Sequence, residues 1–197
     1  MSRLRAIAFF GLVFVGLSVG ALVSPEPFLF DGAGLGGLRA IRTETLNAFV
    51  LLLSETGGSK VMMPAGVLLF IFALRKNRRA GVFVAVTLLG SFGLNQLLKA
   101  LIARPRPDLA QAVYDAQHAS FPSGHSQASM TFVLVCLVLA GERRPGVISA
   151  ALLFPVVIGL TRVYLGVHYP TDVLAGWCLA VCVVGLSARV YAQRRTA

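Results

Sequence analysis

The chain has 197 residues and a formal net charge of +10; 56% of it is hydrophobic and only 13% charged. With a mean hydropathy of +0.78, it is too apolar for a soluble domain and points to a polytopic membrane protein. The basic total does not imply nucleic acid, because the basic residues fall in short blocks between apolar runs, with no interleaved base-stacking aromatics.

In chain order, Arg3 and Arg5 precede the apolar run Ala6–Val23, which reads as a retained first transmembrane helix. Pro25–Gly37 is rich in Pro and Gly. Its Gly32-Ala33-Gly34-Leu35-Gly36-Gly37 stretch follows no strand and opens no βαβ unit, so it is expected to be a flexible connection. Thr43–Leu53 reads as a short helix ended by Gly57-Gly58, too short to span and therefore interfacial. Ser59–Leu74, Ala80–Ile102, Gly124–Ala140, Gly146–Leu165 and Pro170–Val190 bring the spans to six. No alternation of barrel type occurs, so the spans are helical. The expected fold is all-α: one membrane-embedded domain over 1–197, with six transmembrane helices and a short interfacial helix between the first two. Cys136, Cys178 and Cys182 all lie inside apolar runs, which implies core residues and neither a disulfide nor a metal pair.

With the N-terminus inside, the inner segments hold Arg3, Arg5, Arg75, Lys76, Arg78, Arg79, Arg143, Arg144, Arg189, Arg194 and Arg195, against Glu142 as their one acid. This positive-inside pattern places both termini in the cytoplasm. Arg39, Arg42, Lys60, Lys99, Arg104, Arg106 and Arg162 then lie outward, where positive charge opposes the topology rule and calls for another use.

Three segments share that outer level. One ends the third span, from Lys99 to Pro107. The second, Phe121-Pro122-Ser123-Gly124-His125-Ser126, heads an apolar run: Pro and small residues at a helix start present bare N–H groups and the dipole's positive end to an anion. The third runs from Thr161 to Asp172. Arg162 lies inside an apolar run, where a charge costs roughly 2.5–3.5 kcal/mol near mid-span, so it needs an anionic partner. Together they offer cations, two histidines, a carboxylate, a serine and a helix N-terminus, a set suited to a phosphoryl group. A metal held by His125, His168 and Asp172 is the rival reading, opposed by the cations that would repel it.

Lys99-x6-Arg106-Pro107, then Pro122-Ser123-Gly124-His125, then Arg162-x5-His168-x3-Asp172, resembles the three-part signature of the type 2 phosphatidic acid phosphatase superfamily. The motifs run from 99 to 172. One departure is Thr161, where that family commonly has Ser before the Arg; the hydroxyl is kept. The resemblance implies a metal-independent membrane lipid phosphatase without a cofactor. His168 would be the nucleophile that becomes a phosphohistidine, Asp172 its orienting carboxylate, and His125 the acid for the leaving oxygen, then the base for water. Lys99, Arg106, Ser123, the Gly124 N–H and Arg162 would bind the phosphate oxygens. Undecaprenyl diphosphate, phosphatidylglycerol phosphate and phosphatidic acid are the implied kinds of substrate, at the outer face of a bacterial inner membrane. A phosphotransferase using the same intermediate and a non-catalytic lipid or anion transporter are the alternatives. Arg104 falls in the gap of the first motif, where it would add to the positive mouth or meet a second phosphate. Tyr114, Asp115 and His118 stand in the loop before the cradle, as contacts for the head group or as solvated residues.

Overall fold

The computed structural model describes residues 3–24, 26–107, 112–114 and 119–193. Among them the secondary structure is helical throughout: α1 (Arg3–Val23), α2 (Leu29–Arg39), α3 (Glu44–Glu55), α4 (Ser59–Lys76), α5 (Arg78–Ile102), α6 (Gly124–Ala140), α7 (Pro145–Tyr164) and α8 (Pro170–Gln193). Five helical stretches are long and apolar enough to cross a membrane, and α6 is a shorter apolar helix beside them. The all-α, six-span expectation is met.

The local signals explain most boundaries. Thr43 caps α3 by accepting the Leu46 N–H at 3.2 Å, and Asn77 caps α5 by accepting the Ala80 N–H at 2.8 Å. Gly141, at φ +64°, takes the left-handed turn that ends α6. α5 stops at Ala103, also left-handed at φ +46°, so the chain leaves the helix sharply into Arg104-Pro105-Arg106-Pro107.

One expectation fails. The stretch Gly32–Gly37, read as a flexible connection, lies inside α2. Asp31 holds its first turn by accepting the Phe28 N–H at 3.1 Å. Leu35 is buried against Val163 of α7, Val173 of α8 and Tyr169 between them. Tertiary burial of that face outweighs the weak helix propensity of the glycines.

α6 packs on α5, α7 and α8, α1 on α8, and α4 on α5. The outer surface is apolar, with Leu12, Leu68, Leu89, Leu101 and Leu153 exposed, as a lipid solvent requires. Inside, polar side chains link helices. Gln127 donates to the Ser91 carbonyl and hydroxyl at 2.8 Å each, Asn95 donates to Gln127 at 2.5 Å, and Ser91 pairs with Thr131 at 2.9 Å. The Cys182 thiol lies 3.7 Å from the Ile7 carbonyl, tying α8 to α1, and the three cysteines are free thiols.

The bundle has two unlike ends. Lys76 at the end of α4 reaches the Leu139 carbonyl near the end of α6, so the basic residues around 75–79 and 143–144 lie together. The opposite end gathers the α3–α4 turn, the end of α5, the start of α6, the end of α7 and the start of α8.

Candidate active site

At that opposite end, α7 runs out through Arg162 and a glycine turn. Gly166, at φ +76°, takes a conformation that costs a side-chain-bearing residue, and the chain reverses there into His168-Tyr169-Pro170. Pro170 then starts α8, which places Asp172 in its first turn. His168 Nδ1 lies 3.4 Å from Asp172 Oδ2, and the same oxygen accepts the Tyr169 N–H at 2.9 Å. The other ring nitrogen, Nε2, lies 3.4 Å from Arg106 Nη1, which also donates to the Val167 carbonyl at 2.6 Å. His168 is 2% exposed. Burial, then the charges of Arg162, Arg106 and Lys99, hold its pKa well below the ordinary histidine value. A neutral imidazole with a carboxylate at one nitrogen keeps its other nitrogen's lone pair available.

The start of α6 docks on the same turn. Ser123 donates its N–H to the Asp172 carbonyl at 3.0 Å, and Gly176 of α8 lets the strands of chain meet: a Cβ there would come 2.8 Å from the Ser123 carbonyl. The Ser123 hydroxyl accepts from Ser126 at 3.0 Å. The first N–H groups of α6, from Gly124 onward, have no partner within the helix, and they carry its positive pole. The Phe121–Pro122 peptide is cis. His125 sits beneath the α3–α4 turn, against Gly58.

The cations converge from separate elements. Lys99 donates to the Ala119 carbonyl. Arg162, 2% exposed, donates through Nη1 to Ser54 at 2.7 Å and through Nη2 to the Tyr114 hydroxyl, whose ring lies 5.6 Å from the guanidinium carbon. Its Nε is buried with no hydrogen-bond partner among the described residues. A buried guanidinium with an idle donor is poised for an anion. Arg106 has its pKa lowered by burial and by Arg162. Crowded like charges of this kind cost energy that an anion between them would recover.

Arg104 is where the expectation breaks. It does not line a positive mouth: it is 1% exposed and held between Asp31, at 2.9 Å, and Asp172, at 2.7 Å. Two carboxylates draw it inward, and Tyr169 stacks on it at 4.2 Å. Tyr114 does reach the site, through Arg162; Asp115 and His118 lie outside the described residues. Sequence reasoning missed Asp31, Ser54 and Gly58. An acid inside an apolar, Gly-rich stretch was a signal for Asp31; Ser54 and Gly58 carry none without the fold.

Residues 80–196 match the model of the PAP2 superfamily. The chain is 31% identical over 186 residues to phosphatidylglycerophosphatase B of Bacillus subtilis, covering 88% of this chain and 86% of the relative. It is 30% identical over 153 residues to undecaprenyl-diphosphatase of Sulfolobus acidocaldarius, covering 74% and 71%. The crystal structure of the transmembrane PAP2-type phosphatidylglycerolphosphate phosphatase from Bacillus subtilis superposes with a TM-score of 0.75 at 26% identity, over 98% of this chain and 96% of the other. With three motifs folded onto one end of a helical membrane bundle, and a family match over the segment that holds them, the chain belongs to the PAP2 superfamily of membrane phosphatases.

Proposed function

We propose that the protein removes a phosphate group from a membrane lipid in two steps, through a phosphohistidine on His168. The observation that carries this reading is the division of the His168 ring: Asp172 at Nδ1 and the Arg106 guanidinium at Nε2. A phosphoryl group entering beside Arg106 meets the nucleophilic nitrogen from the side opposite the carboxylate.

In the first step the Nε2 lone pair forms a P–N bond and the bond from phosphorus to the lipid oxygen breaks. His125 gives its proton to that oxygen. In the second step His125 takes a proton from water, the water oxygen bonds to phosphorus, and the P–N electrons return to Nε2. Lys99, Arg106 and Arg162, with the Ser123 hydroxyl and the Gly124 N–H, carry the charge on the phosphoryl oxygens, a load that metal ions take in other phosphatases. The whole chain acts as one membrane-embedded unit, and the site faces outward if the basic end of the bundle faces the cytoplasm.

The relatives' names cover undecaprenyl diphosphate, phosphatidylglycerophosphate and the 1-phosphate of lipid A. Three cations around one histidine suit a single terminal phosphoryl group. Arg104, the sequence's candidate for a second phosphate, is sealed away, which favours a phosphomonoester lipid such as phosphatidylglycerol phosphate.

The test is phosphate release from phosphatidylglycerol phosphate, phosphatidic acid and undecaprenyl diphosphate in detergent containing EDTA. Release is expected with wild-type protein and lost in His168→Ala, and acid-labile phosphate should be trapped on the wild type only. Full activity in His168→Ala, or activity abolished by EDTA, overturns the mechanism.

A further inference from the structure

Arg104 and Asp31 have no part in the chemistry above, yet with Asp172 they form a fully buried charged group. The Asp31 and Arg104 side chains are fully buried, as is that of Asp172. Arg104 Nη2 donates to Asp31 Oδ2 at 2.9 Å, and Nη1 donates to Asp172 Oδ1 at 2.7 Å and to the Thr171 hydroxyl at 2.8 Å. Thr171 in turn donates its N–H to Asp31 Oδ1 at 3.0 Å and its hydroxyl to Asp31 Oδ2 at 2.8 Å. The Arg104 carbonyl accepts the Ser120 N–H at 2.9 Å, which fixes the backbone beneath the guanidinium.

Two features point beyond a structural tie. The first is geometric. Arg104 takes Asp172 Oδ1, while Oδ2 is left to the Tyr169 N–H and to His168 Nδ1. The carboxylate can therefore neither rotate nor withdraw from the imidazole. The second is charge. One guanidinium serves two carboxylates, so with both ionised the fully buried group carries one net negative charge. A pair of Arg104 and Asp172 alone would be neutral, and Asp172 would have less to offer an imidazole that becomes cationic when Nε2 gains its P–N bond.

We propose that Arg104 is a positioning residue that aims Asp172 at His168, and that Asp31, by taking up part of the Arg104 charge, keeps Asp172 electrostatically available to the phosphorylated ring. This rests on the phosphohistidine reading above. Asp31 acts through two intermediaries and touches no substrate, so its contribution belongs to the turnover step and leaves substrate binding alone.

The experiment compares wild type, Asp31→Asn, Arg104→Lys and His168→Gln in detergent. It measures kcat and KM on phosphatidylglycerol phosphate, thermal unfolding, and the stabilisation given by orthovanadate, which mimics the five-coordinate phosphoryl group, beside that given by inorganic phosphate. Asp31→Asn and Arg104→Lys are each expected to unfold cooperatively and to lose about tenfold or more in kcat, the scale of one charge-assisted hydrogen bond. KM and the phosphate effect should stay near wild type, and the vanadate effect should shrink. A folded Asp31→Asn with wild-type kcat, or a loss confined to KM, overturns the proposal. Failure of both variants to fold also overturns it, since the cluster would then be a structural tie alone. Activity retained by His168→Gln overturns the phosphohistidine reading instead, whatever Asp31 and Arg104 do.

Discussion

Gly58 and His125 meet face to face: a Cβ on Gly58 would lie 2.9 Å from the imidazole Nε2 and 3.2 Å from the Glu55 carbonyl. The turn between α3 and α4 thus sets the position of a ring that belongs to α6. Gly58→Ala should push the ring aside, because the backbone behind it cannot yield. Phosphate release is expected to fall about tenfold, within the range that general acid catalysis contributes, with little change in melting temperature. Unchanged turnover in Gly58→Ala would show that the ring's position there is immaterial.

Ser54 is buried and accepts from Arg162 Nη1 at 2.7 Å. Ser54→Ala removes that acceptor from a buried cation and should cost about 1–3 kcal/mol of stability. Inorganic phosphate should restore more of the melting temperature in this variant than in wild type, since the anion supplies the missing acceptor. Equal stabilisation of the two proteins by phosphate would place the bound anion away from Arg162.

Burial and the neighbouring cations hold the His168 pKa below its value in the unfolded chain. Below about pH 6.5 the unfolded chain takes up a proton there that the folded protein does not, so stability falls as pH falls through that range. Melting in detergent between pH 7.5 and 5.5 should show this loss. His168→Asn should remove a slope of up to about 1.4 kcal/mol per pH unit; a slope identical in the two proteins would contradict the assignment.

Gln127 joins α6 to α5 through Ser91 and Asn95. Gln127→Ala leaves a buried Asn95 amide without its 2.5 Å acceptor, at an expected cost of about 1–3 kcal/mol. The chevron of unfolding in a mixed detergent series, or the loss of melting temperature, measures it. A neutral outcome would mean that the Pro122 carbonyl, 3.4 Å away, satisfies the amide alone.

The six spans were legible because apolar length and basic blocks are one-dimensional signals. His168 and Asp172 were legible through the resemblance of Arg162-x5-His168-x3-Asp172 to the family's third motif, and their four-residue spacing lets the two side chains meet across a helix start. Arg104 was misread because it stands between the motif's cations Lys99 and Arg106 in sequence while its partners lie elsewhere; Asp31 is 73 residues away. α2 was misread because glycine content speaks to local propensity, whereas Leu35 and Asp31 are held by α7 and α8. Ser54 and Gly58 became visible only when the α3–α4 turn was seen folded over His125. What the sequence could not convey in each case was a long-range partner.

The span between Asp31 and Arg104 also has a meaning in time. A ribosome adding about 5–20 residues per second needs about 4–15 s to make the 73 residues that separate them, and longer to reach Thr171, 140 residues beyond Asp31. During that interval Asp31 lacks the guanidinium that receives it in the folded protein. α2 must therefore wait at the membrane surface while the later helices insert, and dock only when Arg104 and α8 arrive. Leu35→Cys, at a position buried in the folded protein, should accordingly react with a water-soluble thiol reagent in chains halted near residue 90 more readily than in finished protein; equal labelling of the two would refute late docking.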